Sequence, residues 1–159
     1  MDIKTIKSII ETGETLTVEF KESKKQLNKD VYETACAFSN RAGGDIFLGI
    51  KDNGEITGVD EDAIESMKKN FVTTINNPQK FSPPLYLNIK TVEIDNKKVL
   101  HIHVPMSKSV HSLNGKIYDR TVISHPKKTF NPAVVHVMLD GVKTRSQTCQ
   151  KYPQRALII

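Results

Sequence analysis

Residues 38–60, "FSNRAGGDIFLGIKDNGEITGVD", decide how the chain folds. Val31, Ala35 and Phe38 mark the buried face of a helix whose sequence, "VYETACAFSNRAGG", stops at Gly43-Gly44. "DIFLGI" follows at once as a nearly continuous apolar run, the pattern of a central strand covered on both faces. "KDNGE" then reads as a turn around Asn53-Gly54, and "ITGV" as a short strand after it. A helix that runs directly into a doubly covered strand needs a layered fold with helices packed on a sheet.

Upstream, Ile3, Ile6, Ile9 and Ile10 recur at helical spacing and stop at Gly13, a natural C-terminal cap. Leu16, Val18 and Phe20 alternate with Thr15, Thr17, Glu19 and Lys21, which predicts a half-buried strand over residues 15–21. Downstream, Asp60 is placed to cap a second long helix with the stripe Ile64, Met67, Phe71, Val72 and Ile75, broken by "NNPQKFSPP". "LYLNIKTVEI" and "KVLHIHVP" predict a hairpin across Asp95-Asn96-Lys97, and "NGKIYDRTVIS" a further strand. Asn131-Pro132 is expected to open a third helix, "PAVVHVML". The expected fold class is α+β, with one mixed sheet, two main packing helices and helices at the termini. Residues 1–159 are expected to form a single domain, with a core over about 8–125 and a C-terminal helix and tail over 131–159.

Composition excludes several classes. Hydrophobic residues make up 38% and charged residues 26%, which fits a globular domain and argues against disorder. No apolar run approaches the roughly 20 residues that span a bilayer. "MDIKTIKSII" is interrupted by charge and is not expected to act as a signal peptide, so a reducing cytoplasm is the expected compartment. Cys36 and Cys149 are too few for a disulfide framework or a zinc site, and Cys36 falls on a helix where a buried thiol is expected. The net charge of +5 is unevenly spread: residues 1–80 hold 14 acidic and 11 basic side chains, residues 81–159 hold 4 and 12. A basic half of that size is a plausible footprint for a polyanion.

Together, "VEFKES", "FSNRAGGDIFLGIKDNGEITGVD" and "IYDR" resemble the Schlafen-type AlbA_2 domain, over roughly residues 8–125 and with a weaker echo at Tyr152-Pro153. The resemblance implies an Alba-like α+β fold, and nucleic-acid binding as the N-terminal part of a bacterial transcriptional regulator. Winged-helix and effector portions would then follow; a small stand-alone protein is the alternative. From nuclease-active Schlafen proteins it also implies a three-carboxylate site, which falls here on Glu14, Glu19 and Asp52. Such a site would act as a metal-dependent ribonuclease, because carboxylates that hold Mg²⁺ or Mn²⁺ both neutralise a phosphodiester and activate water. The plainer alternative leaves Glu14 behind a helix cap, pairs Glu19 with Lys21 or Arg41, and makes Asp52 a turn residue. Departures from the family pattern are Arg41, where a small hydroxylated residue is usual, and Asp45 directly after Gly44.

Lysines are the other candidates. Lys21, Lys24, Lys25 and Lys29 cluster at the first strand-helix loop, and Lys108, Lys116, Arg120, Lys127 and Lys128 crowd the later hairpin. On one face they would track a phosphate backbone, with Tyr118 stacking on a base. Gly43-Gly44 is compatible with a phosphate cradle, as ATP binding in older descriptions of the family would need, but more simply makes a tight helix-to-strand turn. His101 and His103 form a His-x-His pair lacking a third ligand, which fits a polar strand face. A third class of function, protein interaction or homodimerisation, would use the apolar end "ALII".

Overall fold

The computed structural model describes residues 1–125 and 128–137, with side chains described through Arg120. In chain order the elements are α1 (Ile3–Thr12), β1 (Val18–Lys21), α2 (Lys29–Asn40), β2 (Gly44–Leu48), α3 (Ile64–Ile75), β3 (Phe81–Ser82), β4 (Ile89–Ile94), β5 (Lys97–Val104), β6 (Ser112–Leu113), β7 (Ile117–His125) and β8 (Lys128–Val137). Four strands make one mixed sheet in the order β1-β2-β5-β4, while β3-β6 and β7-β8 form two-stranded sheets. β1 and β2 run parallel, with α2 as their crossover, and the other two pairings in the main sheet are antiparallel. The fold is α+β, as the sequence predicts.

The register explains why "DIFLGI" is apolar throughout. Phe20 lies opposite Phe47, and both point to the face covered by Ile6 and Ile10 of α1, together with Ile50, Ile94 and Val99. Ile46 and Leu48 point the other way, with Leu100, Ile102 and Val104, into a core closed by Val31, Ala35 and Phe38 of α2 and Met67, Phe71 and Ile75 of α3. Each fully buried phenylalanine contributes roughly 1.5–3 kcal/mol by leaving water. Gly43-Gly44 is a packing device. Gly43 has φ 77°, and a Cβ there would meet the Val104 carbonyl oxygen at 2.6 Å. A Cβ on Gly44 would meet the Thr17 carbonyl oxygen at 2.7 Å and the Phe38 ring at 2.8 Å.

Three expectations change. Residues 131–137 are strand, not helix: β8 pairs with β7 in the register Ile117↔Val137 and Val122↔Pro132. Val134, Val135 and Val137 are β-branched and stiff at χ1, which favours the extended chain, and Pro132 lacks only a donor that a two-stranded ribbon can spare. "ITGV" forms a single bridge, Ile50↔Ile56, because Thr57 and Gly58 both turn their N–H groups onto the Gly49 carbonyl at 2.9 Å. The first strand begins at Val18. Thr15 N–H bonds the Val18 carbonyl at 3.1 Å in a tight reversal that leaves Leu16 exposed. The tail from residue 138 onward, with Cys149, Tyr152-Pro153 and "ALII", lies outside the described residues.

Candidate functional site

Glu14 lies within electrostatic reach of both Glu19 and Asp52. The reversal at residues 15–18 folds Glu14 back along the strand, where its Oε1 accepts the Phe20 N–H at 2.9 Å. Burial pushes the Glu14 carboxyl up, the Phe20 amide opposes this, and the charges of Glu19 and then Asp52 push it further up. Glu19, however, is already neutralised: its Oε1 is 2.8 Å from Lys21 Nζ, and its Oε2 accepts from Arg120 Nη2. Lys21 also pairs with Asp30 at 2.8 Å; burial alone would lower its pKa, but Glu19 and Asp30 outweigh burial and hold it up, fully charged. Among the described residues no group of three or more His, Cys, Asp or Glu side chains is arranged to hold a metal ion. Both oxygens of Glu19 and one of Glu14 are engaged by protein donors, so the trio as folded does not fit Mg²⁺ or Mn²⁺.

Arg120 and Tyr118, expected to contact nucleic acid, are buried instead. Arg120 is 2% exposed, lies 4.7 Å over the Phe38 ring and donates to the Thr15 carbonyl at 3.2 Å. Its Nε and Nη1 have no hydrogen-bond partner among the described residues. Tyr118 is 6% exposed within the α2-side core, and its hydroxyl donates to Glu33 at 3.3 Å. Packing against α2 is what turns both side chains of "IYDR" inward. Next to them Arg41 grips Asp119 with a two-pronged contact, Nε at 2.8 Å and Nη2 at 2.6 Å. Asp119 and Asn40 were not legible as site residues. Asn40 Nδ2 donates to the carbonyls of His111 at 2.8 Å and Tyr118 at 2.9 Å, while its Oδ1 accepts the His111 N–H at 2.7 Å. The available signal is that Asn40 lies four residues after buried Cys36, on the same helix face. The Cys36 thiol is pushed up to about 12 by burial and is unreactive there.

His101 and His103 do face one side of β5, but they have a partner across the sheet. His101 Nε2 and His103 Nδ1 lie 2.7 and 3.0 Å from the same Asp45 oxygen. Burial pushes Asp45 up, yet the bonds from the two histidines outweigh it and hold the carboxyl below its usual value. His101 is itself stacked on Phe47 at 4.8 Å. This explains Asp45 without placing it among the three carboxylates.

Of the proposed lysines, Lys24, Lys25, Lys29 and Lys108 are exposed, Lys116 is half-buried, Lys127 lies outside the described residues and Lys128 opens β8. Lys25 and Lys29 make only loose pairs, 3.8 Å to Asp60 and 4.0 Å to Glu33. Lys29 also borders a groove of about 520 Å³ between α2, α3 and the tight turn after β6, which periodicity does not foreshadow because its walls come from four separate segments.

The chain belongs to the Schlafen, AlbA_2 family, whose sequence profile matches residues 14–128. No curated protein matches it. Among solved structures it resembles the DIP2311 protein of Corynebacterium diphtheriae, with 16% identity and a TM-score of 0.50 over 82% of this chain and 29% of that one. At that identity the likeness shows the fold alone. A second similar structure is the N-terminal domain of a RecG-related protein from Nitrosomonas europaea, named for an ATP-dependent DNA helicase. It is 20% identical, with a TM-score of 0.47, over 65% of this chain and 69% of that one.

Proposed function

We propose that this chain is a nucleic-acid-binding domain, the N-terminal part of a bacterial transcriptional regulator, and that it holds its ligand without cutting it. The observation that carries this reading is that Lys24, Lys25 and Lys29 stay exposed on one loop and helix start, while the charge of Glu19 on the preceding strand is cancelled from within by Lys21 and Arg120. A phosphate approaching that loop meets loosely held ammonium groups, and Glu19 on the preceding strand, being paired, does little to repel it. Membership of the family supports the same reading.

The test is a titration of labelled single- and double-stranded RNA and DNA at two salt concentrations, with and without Mn²⁺, followed by a gel. Binding that weakens with salt and leaves the strands intact is expected. Mn²⁺-dependent cleavage that disappears in Glu19→Ala would replace this reading with the nuclease. Absence of any binding would leave an interaction module.

A further inference from the structure

The groove beside Lys29 differs in chemistry from the β1 carboxylates. Lys29 stands at the start of α2 and Lys80 just before β3, and both line it. Between them Asn70 and Thr73 of α3 and Asn114 of the turn line the walls, with no protein partner for their side-chain polar atoms among the described residues. Tyr32 forms part of the lining and is locked in place, its ring stacked on Phe71 at 5.8 Å. The turn is rigid too: Asn114 and Gly115 have φ 51° and 78°, Leu113 and Lys116 exchange two backbone bonds of 2.8 and 3.0 Å, and Asn114 N–H ties to the Lys80 carbonyl at 2.8 Å. None of the lining residues is acidic.

We propose that this groove accepts one unpaired nucleotide of a single strand, with Lys29 and Lys80 on its flanking phosphates and Asn70 and Asn114 on the base edge. The inference rests on the nucleic-acid-binding reading above and names the class of ligand. Two cations on separate walls suit a backbone that passes across the groove, because each phosphate then meets one ammonium. Side-chain amides carry both a donor and an acceptor, the complement of a base's Watson–Crick edge. In a duplex that edge is already paired and stacked, so a concave site reaches it only in a single strand. The volume lies in the range of sites for small organic ligands, enough for one nucleotide.

Anisotropy titrations with labelled strands of about 12 nucleotides, single or annealed, test this in DNA and RNA. Three variants accompany the wild type: Thr73→Trp, which fills the groove without touching a charge; Lys80→Glu; and the loop pair Lys24→Glu/Lys25→Glu. Circular dichroism checks folding, and Lys80→Glu carries the test if Thr73→Trp unfolds. The wild type is expected to prefer the single strand by about tenfold, and Thr73→Trp to abolish that preference with duplex affinity unchanged. Lys80→Glu should lower single-strand affinity several-fold, while the loop pair lowers both. Equal affinity for single strand and duplex would overturn the groove proposal. So would a single-strand preference that neither groove variant moves, although salt-sensitive binding lost in the loop pair would leave the broader reading intact. If the wild type binds nothing, both fall.

Discussion

Glu19 is the side chain on which the family's catalytic expectation and this chain's packing meet. It faces Lys21 and a fully buried Arg120, which also donates to the Thr15 carbonyl. Removing the charge strands the guanidinium, two of whose nitrogens already lack a partner among the described residues. Glu19→Gln should therefore destabilise the fold by about 3–5 kcal/mol, the usual cost of breaking a buried pair from one side. Arg120→Met in the same background should recover a substantial part of that loss, because it removes the stranded charge. Urea unfolding of the two single variants and the double variant checks this; a loss under about 0.5 kcal/mol in Glu19→Gln would show that the pair is not structural. Glu14 behaves oppositely. Its carboxyl is pushed up, so ionising it works against folding at pH above the folded value, and that cost vanishes as pH falls below the unfolded one. Glu14→Gln keeps an acceptor for the Phe20 N–H and removes the charge. It should stabilise the protein at neutral pH by up to about 1 kcal/mol and lose the advantage in acid, as read by melting temperature against pH.

Between elements, the segment from Pro105 to Leu113 is held by side chains, because only its last two residues belong to a strand. Asn40 satisfies three backbone groups there and on β7, so Asn40→Ala would leave buried donors and acceptors unpaired at a cost of about 2–4 kcal/mol. His111 is the second clamp: its Nδ1–H donates to the Pro83 carbonyl at 2.7 Å, which leaves Nε2 to accept from the Ser107 hydroxyl at 2.7 Å. Burial lowers the pKa of this histidine below 6.5, and the Pro83 bond only partly opposes that. The unfolded chain thus takes up the proton first. Stability is full above the unfolded pKa and falls as pH drops through the window between the two values. His111→Gln should flatten this decline below about pH 6.5, and an unchanged slope of unfolding free energy against pH would rule the clamp out as its source. Here the sequence was only partly legible. Periodicity found α1, α2, α3 and the β4-β5 hairpin because each buries one regular stripe. It could not find the Asn40 clamp, whose partners are backbone atoms more than 70 residues away. It also misassigned residues 131–137, where apolar valines suit either element until a partner strand decides.

Across the whole molecule, counting charge along the chain did not translate into charge in space. The basic second half owes part of its surplus to Arg120, which is buried against Glu19, and to Lys98, which pairs with Glu61. The acidic first half contains Lys24, Lys25 and Lys29, which stay at the surface. A linear tally cannot see this, because ion pairs between distant segments cancel charges that the sequence counts separately. The family motif was legible for the opposite reason: "VEFK" and "FSNRAGGD" are contiguous, and the parallel register sets Val18 beside Asp45 and Lys21 beside Leu48. The carboxylate trio followed from that motif, whereas its neutralisation by Arg120 arises from a strand about 100 residues away. Local lysines should therefore govern affinity. If Lys24 and Lys25 each displace one counterion from a single strand, Lys24→Glu/Lys25→Glu must lower the slope of log K against log salt by about 1.4. Reversing two lysines of the basic half that lie away from this loop, Lys90 on the edge strand β4 and Lys108 beside the C-terminal end of α2, should leave the slope where it was. Anisotropy titrations across a salt series would measure both. A slope that responds equally to the two pairs would mean that net charge, and not this loop, draws the nucleic acid in.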